Sequence, residues 1–138
     1  MIASIETALV ARLAALFPEF RVEGFPLEGA YQFKAAKGAI LVGYVGSSFA
    51  TTGYEFGATA LQSLNSIPEN REMEFEIRLY VRQFQNHQDL YGLLQQILEA
   101  LTGFRPAGAG EMLPLREKIE GQTDGVWQSY LIFKTHSP

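Results

Sequence analysis

The chain opens on a helical stripe. Ile2, Ile5, Leu9, Leu13 and Leu16 recur at three- and four-residue spacing while Glu6 and Arg12 fall off it, which predicts an amphipathic helix from Ile2 to Phe17. Ala3, Ala8, Ala11, Ala14 and Ala15 raise its helix propensity. Pro18 ends it, because the residue before a proline is pushed out of the α region. A short strand is predicted from Phe20 to Phe25. Ala39–Val45 predicts a second strand, apolar on both faces and therefore central in a sheet. The clearest alternation runs from Met73 to Phe84. Met73, Phe75, Ile77, Leu79 and Val81 point one way, and Glu74, Glu76, Arg78, Tyr80 and Arg82 the other. A period of two predicts a long strand with one face in the core and the other wet or against a neighbour.

A second helix is predicted from His87 to Thr102, with Asn86 as N-cap and Asp89 in the first turn. Leu90, Leu94, Ile97, Leu98 and Leu101 form its buried stripe, and Gly103 supplies a left-handed C-terminal residue. Met112–Ile119 and Val126–Lys134 predict two closing strands, joined as a hairpin by the turn residues Gly121–Gly125. The fold class is thus α+β: two helices packed on a mixed, mainly antiparallel sheet. One segment departs from the pattern. Gly46–Arg71 is rich in Gly, Ser, Thr, Ala and Asn, yet carries Phe49, Tyr54, Phe56, Leu61, Leu64 and Ile67. Loops above about 12–15 residues are uncommon in small domains and tend to be functional or mobile. Leaving such side chains in water forgoes about 1.5–3 kcal/mol each. Two readings stand side by side: an arm that orders against a neighbouring subunit, and a surface loop or edge hairpin of the same sheet.

Length and composition bound the rest. At 138 residues, 47% hydrophobic and 19% charged, the chain is expected to form one domain, 1–138, with a sizeable core. No cysteine is present, which removes disulfides, thiolate metal sites and cysteine nucleophiles together. The net charge is −4 and the Lys and Arg residues are scattered, so the basic surface of a nucleic-acid binder is not expected. The N-terminus lacks the positive charge that opens a signal peptide, and no apolar run approaches the ~20 residues of a membrane span. A cytoplasmic protein that binds no membrane is expected.

Candidate chemistry is sparse. His87 and His136 are the two histidines; neither has the spacing of a metal pair. No GxSxG elbow occurs. Gly108-Ala109-Gly110 follows a helix and opens none, which reads as a connection and not a phosphate cradle. Glu74 and Glu76 alternate with Arg78 and Arg82 as a charge ladder, solvated or between subunits, more than as an acid–base pair. No enzyme activity, cofactor or metal site is expected. Trp127 and Tyr130 lie on opposite faces of the last strand, so one of them faces away from the core. Either suits an interface, where aromatics are enriched, and a tryptophan capping the core edge is the competing reading. Phe49, Tyr54, Phe56, Leu61, Arg78, Arg82, Trp127 and Tyr130 are the candidate subunit-interface residues.

Three pieces of the chain then carry a resemblance. They are Met1-Ile2-Ala3-Ser4-Ile5-Glu6-Thr7-Ala8-Leu9-Val10-Ala11-Arg12-Leu13; the connector Leu101-Thr102-Gly103-Phe104-Arg105-Pro106 through Gly108-Ala109-Gly110 to Leu113-Pro114-Leu115-Arg116-Glu117; and Asp124-Gly125-Val126-Trp127-Gln128-Ser129-Tyr130-Leu131-Ile132-Phe133. In their order and spacing the chain resembles the Mu-like prophage family of small tail proteins, a group similar to the tail terminators of long-tailed phages and contractile injection systems. The resemblance implies an α+β subunit of a hexameric ring that caps the tail tube and joins it to the next component, with tube and sheath proteins as partners. It implies assembly in the cytoplasm and residence in a phage tail or injection particle. It carries no active site and no cofactor. From a different class, a small-molecule-binding α+β domain with a pocket between the second helix and the sheet is the alternative.

Overall fold

The computed structural model describes residues 1–25, 37–49, 71–82 and 87–137. Within them the elements run α1 (Ile2–Leu16), β1 (Phe20–Gly24), β2 (Gly38–Phe49), β3 (Arg71–Arg82), α2 (His87–Leu101), a single 3-10 turn (Pro106–Gly108), β4 (Leu113–Thr123) and β5 (Val126–His136). The five strands form one sheet in the order β1-β2-β3-β5-β4. Only β1 with β2 is parallel; the other three pairings are antiparallel. The α+β class and the mixed, mainly antiparallel sheet are as the sequence predicts, and β2 is interior as its apolar faces require.

α1 buries Ile5, Leu9 and Leu13, each four residues from the next. Leu16 is half exposed at the last residue of the helix, and Phe17 beyond it turns inward. The Phe17 N–H donates to the Leu13 carbonyl at 2.8 Å, closing the helix just before Pro18. α2 buries Leu90, Leu93, Leu94, Ile97 and Leu101, with Leu98 half-buried; the sequence stripe missed Leu93. The expected N-cap, Asn86, lies outside the described residues. Gly103 at φ 84° is the left-handed terminator that the sequence predicts. Arg12, off the buried stripe of α1, donates from Nε to the Ala100 carbonyl at 2.6 Å, and its guanidinium lies 4.5 Å from the Phe104 ring centre. A cation thus sits on the last turn of α2, where the helix dipole favours one.

On β3, Met73, Phe75, Ile77, Leu79 and Val81 are fully buried and their alternates half-buried. The pairings carry this parity across the sheet. Gly38, Ile40, Val42 and Tyr44 of β2, and Trp127, Ser129, Leu131, Phe133 and Thr135 of β5, share the helix-covered face. The apolar residues among these and the two helix stripes make one hydrophobic cluster. Glu72, Glu74, Glu76, Arg78, Tyr80 and Arg82 lie on the opposite face with Tyr130, Ile132 and Lys134 of β5 and Arg116 and Lys118 of β4.

Several strand boundaries differ from expectation, most of all at β2 and at the closing hairpin. β2 runs to Phe49, so Gly46–Phe49 belongs to a strand, as does Arg71. A β-bulge explains the missed half: Tyr44 pairs with Phe75 and Gly46 with Glu74, leaving Val45 as an extra, exposed residue that breaks the period of two. In the hairpin, Gly121, Gln122 and Thr123 are part of β4. The turn is the pair Asp124 (φ 52°) and Gly125 (φ 78°). Two consecutive positive φ angles suit the right-handed twist of a hairpin, and Asp-Gly is a favoured pair for them. Gln83 and Phe84, where the strand forecast ended, lie outside the described residues.

Candidate assembly surface

The interface candidates fall in different places. Tyr54, Phe56 and Leu61 lie outside the described residues, as does the segment 50–70 to which the expected arm contracts. Phe49 stands half exposed at the end of β2, with the Arg71 guanidinium 5.6 Å from its ring centre. Trp127 is on the helix-covered face, half-buried and packed against the core cluster, so it occupies the core-edge position. Tyr130 is the one that faces away. Arg82 lies on the open face at the end of β3, and its backbone N–H donates to the Lys37 carbonyl at 3.1 Å.

Arg78 is the centre of the open face. Its Nε donates to Glu76 Oε2 at 3.0 Å, its Nη1 to Glu120 Oε1, and its guanidinium lies 5.3 Å from the Tyr130 ring centre. Arg116 approaches the same ring at 5.7 Å. Burial opposes the charge on Arg78, but the bonds it donates to Glu76 and Glu120 outweigh it and raise its pKa. Three strands, β3, β5 and β4, are thereby tied on the face away from the two helices by one cation and one phenol ring. Lys134 and Glu72 add a 3.0 Å ion pair across β3 and β5.

A second cluster was not legible in the sequence. Tyr44 and Ser47 are three residues apart and would face opposite ways in a regular strand. The extra residue at Val45 brings them to one face, where their hydroxyls are 2.5 Å apart. Arg71, entering from β3, donates to Ser47 Oγ at 3.1 Å and to Tyr44 Oη at 3.3 Å. Hydrogen bonding from Ser47 first, then from Arg71, lowers the Tyr44 phenol pKa from 10.0.

A cleft of about 390 Å³ lies between α2 and β4, lined by Tyr91, Leu94, Gln95, Glu117, Lys118 and Ile119. Of these only Leu94 is buried and Ile119 half-buried; Tyr91, Gln95, Glu117 and Lys118 face solvent. It lacks the buried, convergent polar groups of a typical ligand site. Among the described residues no three His, Asp or Glu side chains are grouped to hold a metal ion. Among those residues, too, no helix is long and apolar enough to cross a membrane.

Comparison with known proteins places this architecture. One solved structure superposes with a TM-score of 0.61 at 10% identity, covering 99% of this chain and 92% of its own. A chain of the virion of a native gene transfer agent particle superposes with a TM-score of 0.56 at 15% identity, covering 98% of this chain and 95% of its own. At these identities the likeness is one of fold. No curated protein matches by sequence. The family described as Gp37 protein matches residues 9–138. From Leu9 in the first helix to the C-terminal residue, the chain belongs to the Gp37 family.

Proposed function

We propose that this chain is a structural subunit of a phage or phage-derived particle, acting as one domain over residues 1–138 and closing into a ring that terminates a tail tube. The observation that carries the reading is the fold match to a chain of a gene transfer agent virion, nearly complete in both chains. Membership of the Gp37 family over residues 9–138 supports it, as does the resemblance to Mu-like tail proteins, from which six copies and tube and sheath partners follow. The reading asks for no catalysis and no cofactor. A ring requires two different surfaces that meet head to tail and close. Tyr130, Arg82 and the Phe49 end of β2 are proposed for them, with Tyr54, Phe56 and Leu61 on the segment that follows. Arg78 serves the same face from within the chain. Trp127 supports the surface from beneath.

Electron micrographs of particles from a strain lacking this protein test the reading. Tubes of uncontrolled length, or particles missing an end component, are expected. Normal particles overturn it. The cleft between α2 and β4 favours one other reading, a small-molecule binder. A ligand-dependent rise in melting temperature, in a chain that neither self-associates nor binds tube ends, would establish that reading instead.

A further inference from the structure

The sheet has two terminal strands among the described residues, β1 at one end and β4 at the other. Followed through the pairings, β1 runs antiparallel to β4. A second copy set beside the first, helices on the same side, therefore brings its β1 into antiparallel register with β4. We infer that this pairing of β1 with β4 of a neighbouring copy is the contact that propagates the ring; the inference rests on the ring reading above.

β4 admits only a short partner. Pro114 has no amide donor, and register irregularities fall between Pro114 and Arg116 and between Ile119 and Gly121. Such devices guard an edge strand against indiscriminate pairing. They leave Arg116–Ile119 as the regular stretch, which Val22–Phe25 at the end of β1 can pair along its whole length. Keeping the helix-covered faces on one side limits the possible registers to steps of two residues. In one of them Val22 opposes Ile119, Glu23 opposes Lys118, Phe25 opposes Arg116, and Arg21 meets Glu120. Val22 and Ile119 are half-buried apolar residues on the helix side. The charged pairs lie on the side away from the helices, and each is attractive; Phe25 on that side lies over Gly43 of its own sheet. A step in one direction sets Lys118 against Arg21; a step in the other sets Glu120 against Glu23. Only the first register is free of like charges.

The chain has no cysteine, so a Val22→Cys, Ile119→Cys double variant carries only the two thiols placed to cross-link. Oxidised at a concentration where the wild type assembles, the full-length double variant is expected to give a ladder of covalent multimers on a non-reducing gel. Each single variant is expected to give nothing larger than a dimer. A double variant that assembles normally yet shows no ladder overturns the inference. Charge reversal gives a second readout that does not perturb the core. Glu23→Lys and Lys118→Glu should each weaken self-association about tenfold, and the two together should restore it. Wild-type association in both single variants overturns the edge contact and leaves the ring reading standing. A wild-type chain that neither self-associates nor binds tube ends overturns both.

Discussion

Single side chains carry three separable consequences. Tyr44 is held between Ser47 and Arg71, and its phenol ionises below the ordinary value of 10.0. Because the folded chain gives up this proton more readily than the unfolded chain, the resulting stabilisation is fully present above pH 10. It is lost as the pH falls through the lowered folded pKa. Tyr44 is half-buried at the edge of the core, and partial solvent screening keeps the increment small. An ultraviolet titration of phenolate should show an early component that disappears in Tyr44→Phe and moves to higher pH in Arg71→Ala. Arg78 has a different role, since it stays charged throughout and joins three strands. Arg78→Ala is expected to lower stability by about 1–2 kcal/mol, read from the urea midpoint. Arg78→Lys should recover only part of that, for want of a planar fork. Ser129 is the reverse case. Its hydroxyl is fully buried on the core face without a hydrogen-bond partner among the described residues, so Ser129→Ala should be neutral or stabilising by up to about 1 kcal/mol. A clear loss of stability in that variant would reveal a partner for the hydroxyl.

Helices and strands differ in how openly the sequence declares them. α1 rests on Ile5, Leu9 and Leu13, and Leu9→Ala should cost about 2–5 kcal/mol by opening a cavity against the sheet. Thermal or urea unfolding measures it. The spacing of those residues made α1 legible, as Gly103 did the end of α2 and strict alternation did β3. Legibility failed wherever one residue changed the phase. Val45 hid the outer half of β2, and the extra residues near Leu115 and Glu120 hid how irregular the β4 edge is. The clusters at Tyr44 and Arg78 went unseen for the same reason, since both join residues that only the pairing of strands brings together. Alternation places Arg78 and Tyr130, but Glu120 depends on the bulge at the end of β4. Leu16 shows a related limit: periodicity places it on the stripe, yet the helix ends there and Phe17 takes the buried position.

At the scale of the molecule, the open face shows where the charge resides. Arg78, Arg82, Arg116, Lys118 and Lys134 share it with Glu72, Glu74, Glu76 and Glu120. Cations and carboxylates nearly balance there, so the chain's net charge of −4 comes from elsewhere. A face so balanced, tied down by internal ion pairs, suits contact with other proteins better than attraction of a polyanion. Light scattering on the purified chain, alone and with tube ends, should therefore detect a discrete oligomer whose formation depends only weakly on salt. A steep salt dependence would point to a charged partner instead. The bulge in β2 also bears on inheritance. Val45 is the residue of that strand with no counterpart on β3, so loss of its codon would keep every pairing from Gly38 with Val81 to Phe49 with Arg71. Loss of a codon in the run before it would turn buried side chains outward. Descendants of this chain should vary in length at Val45 before anywhere else in β2, changing the strand's twist and leaving its contents intact.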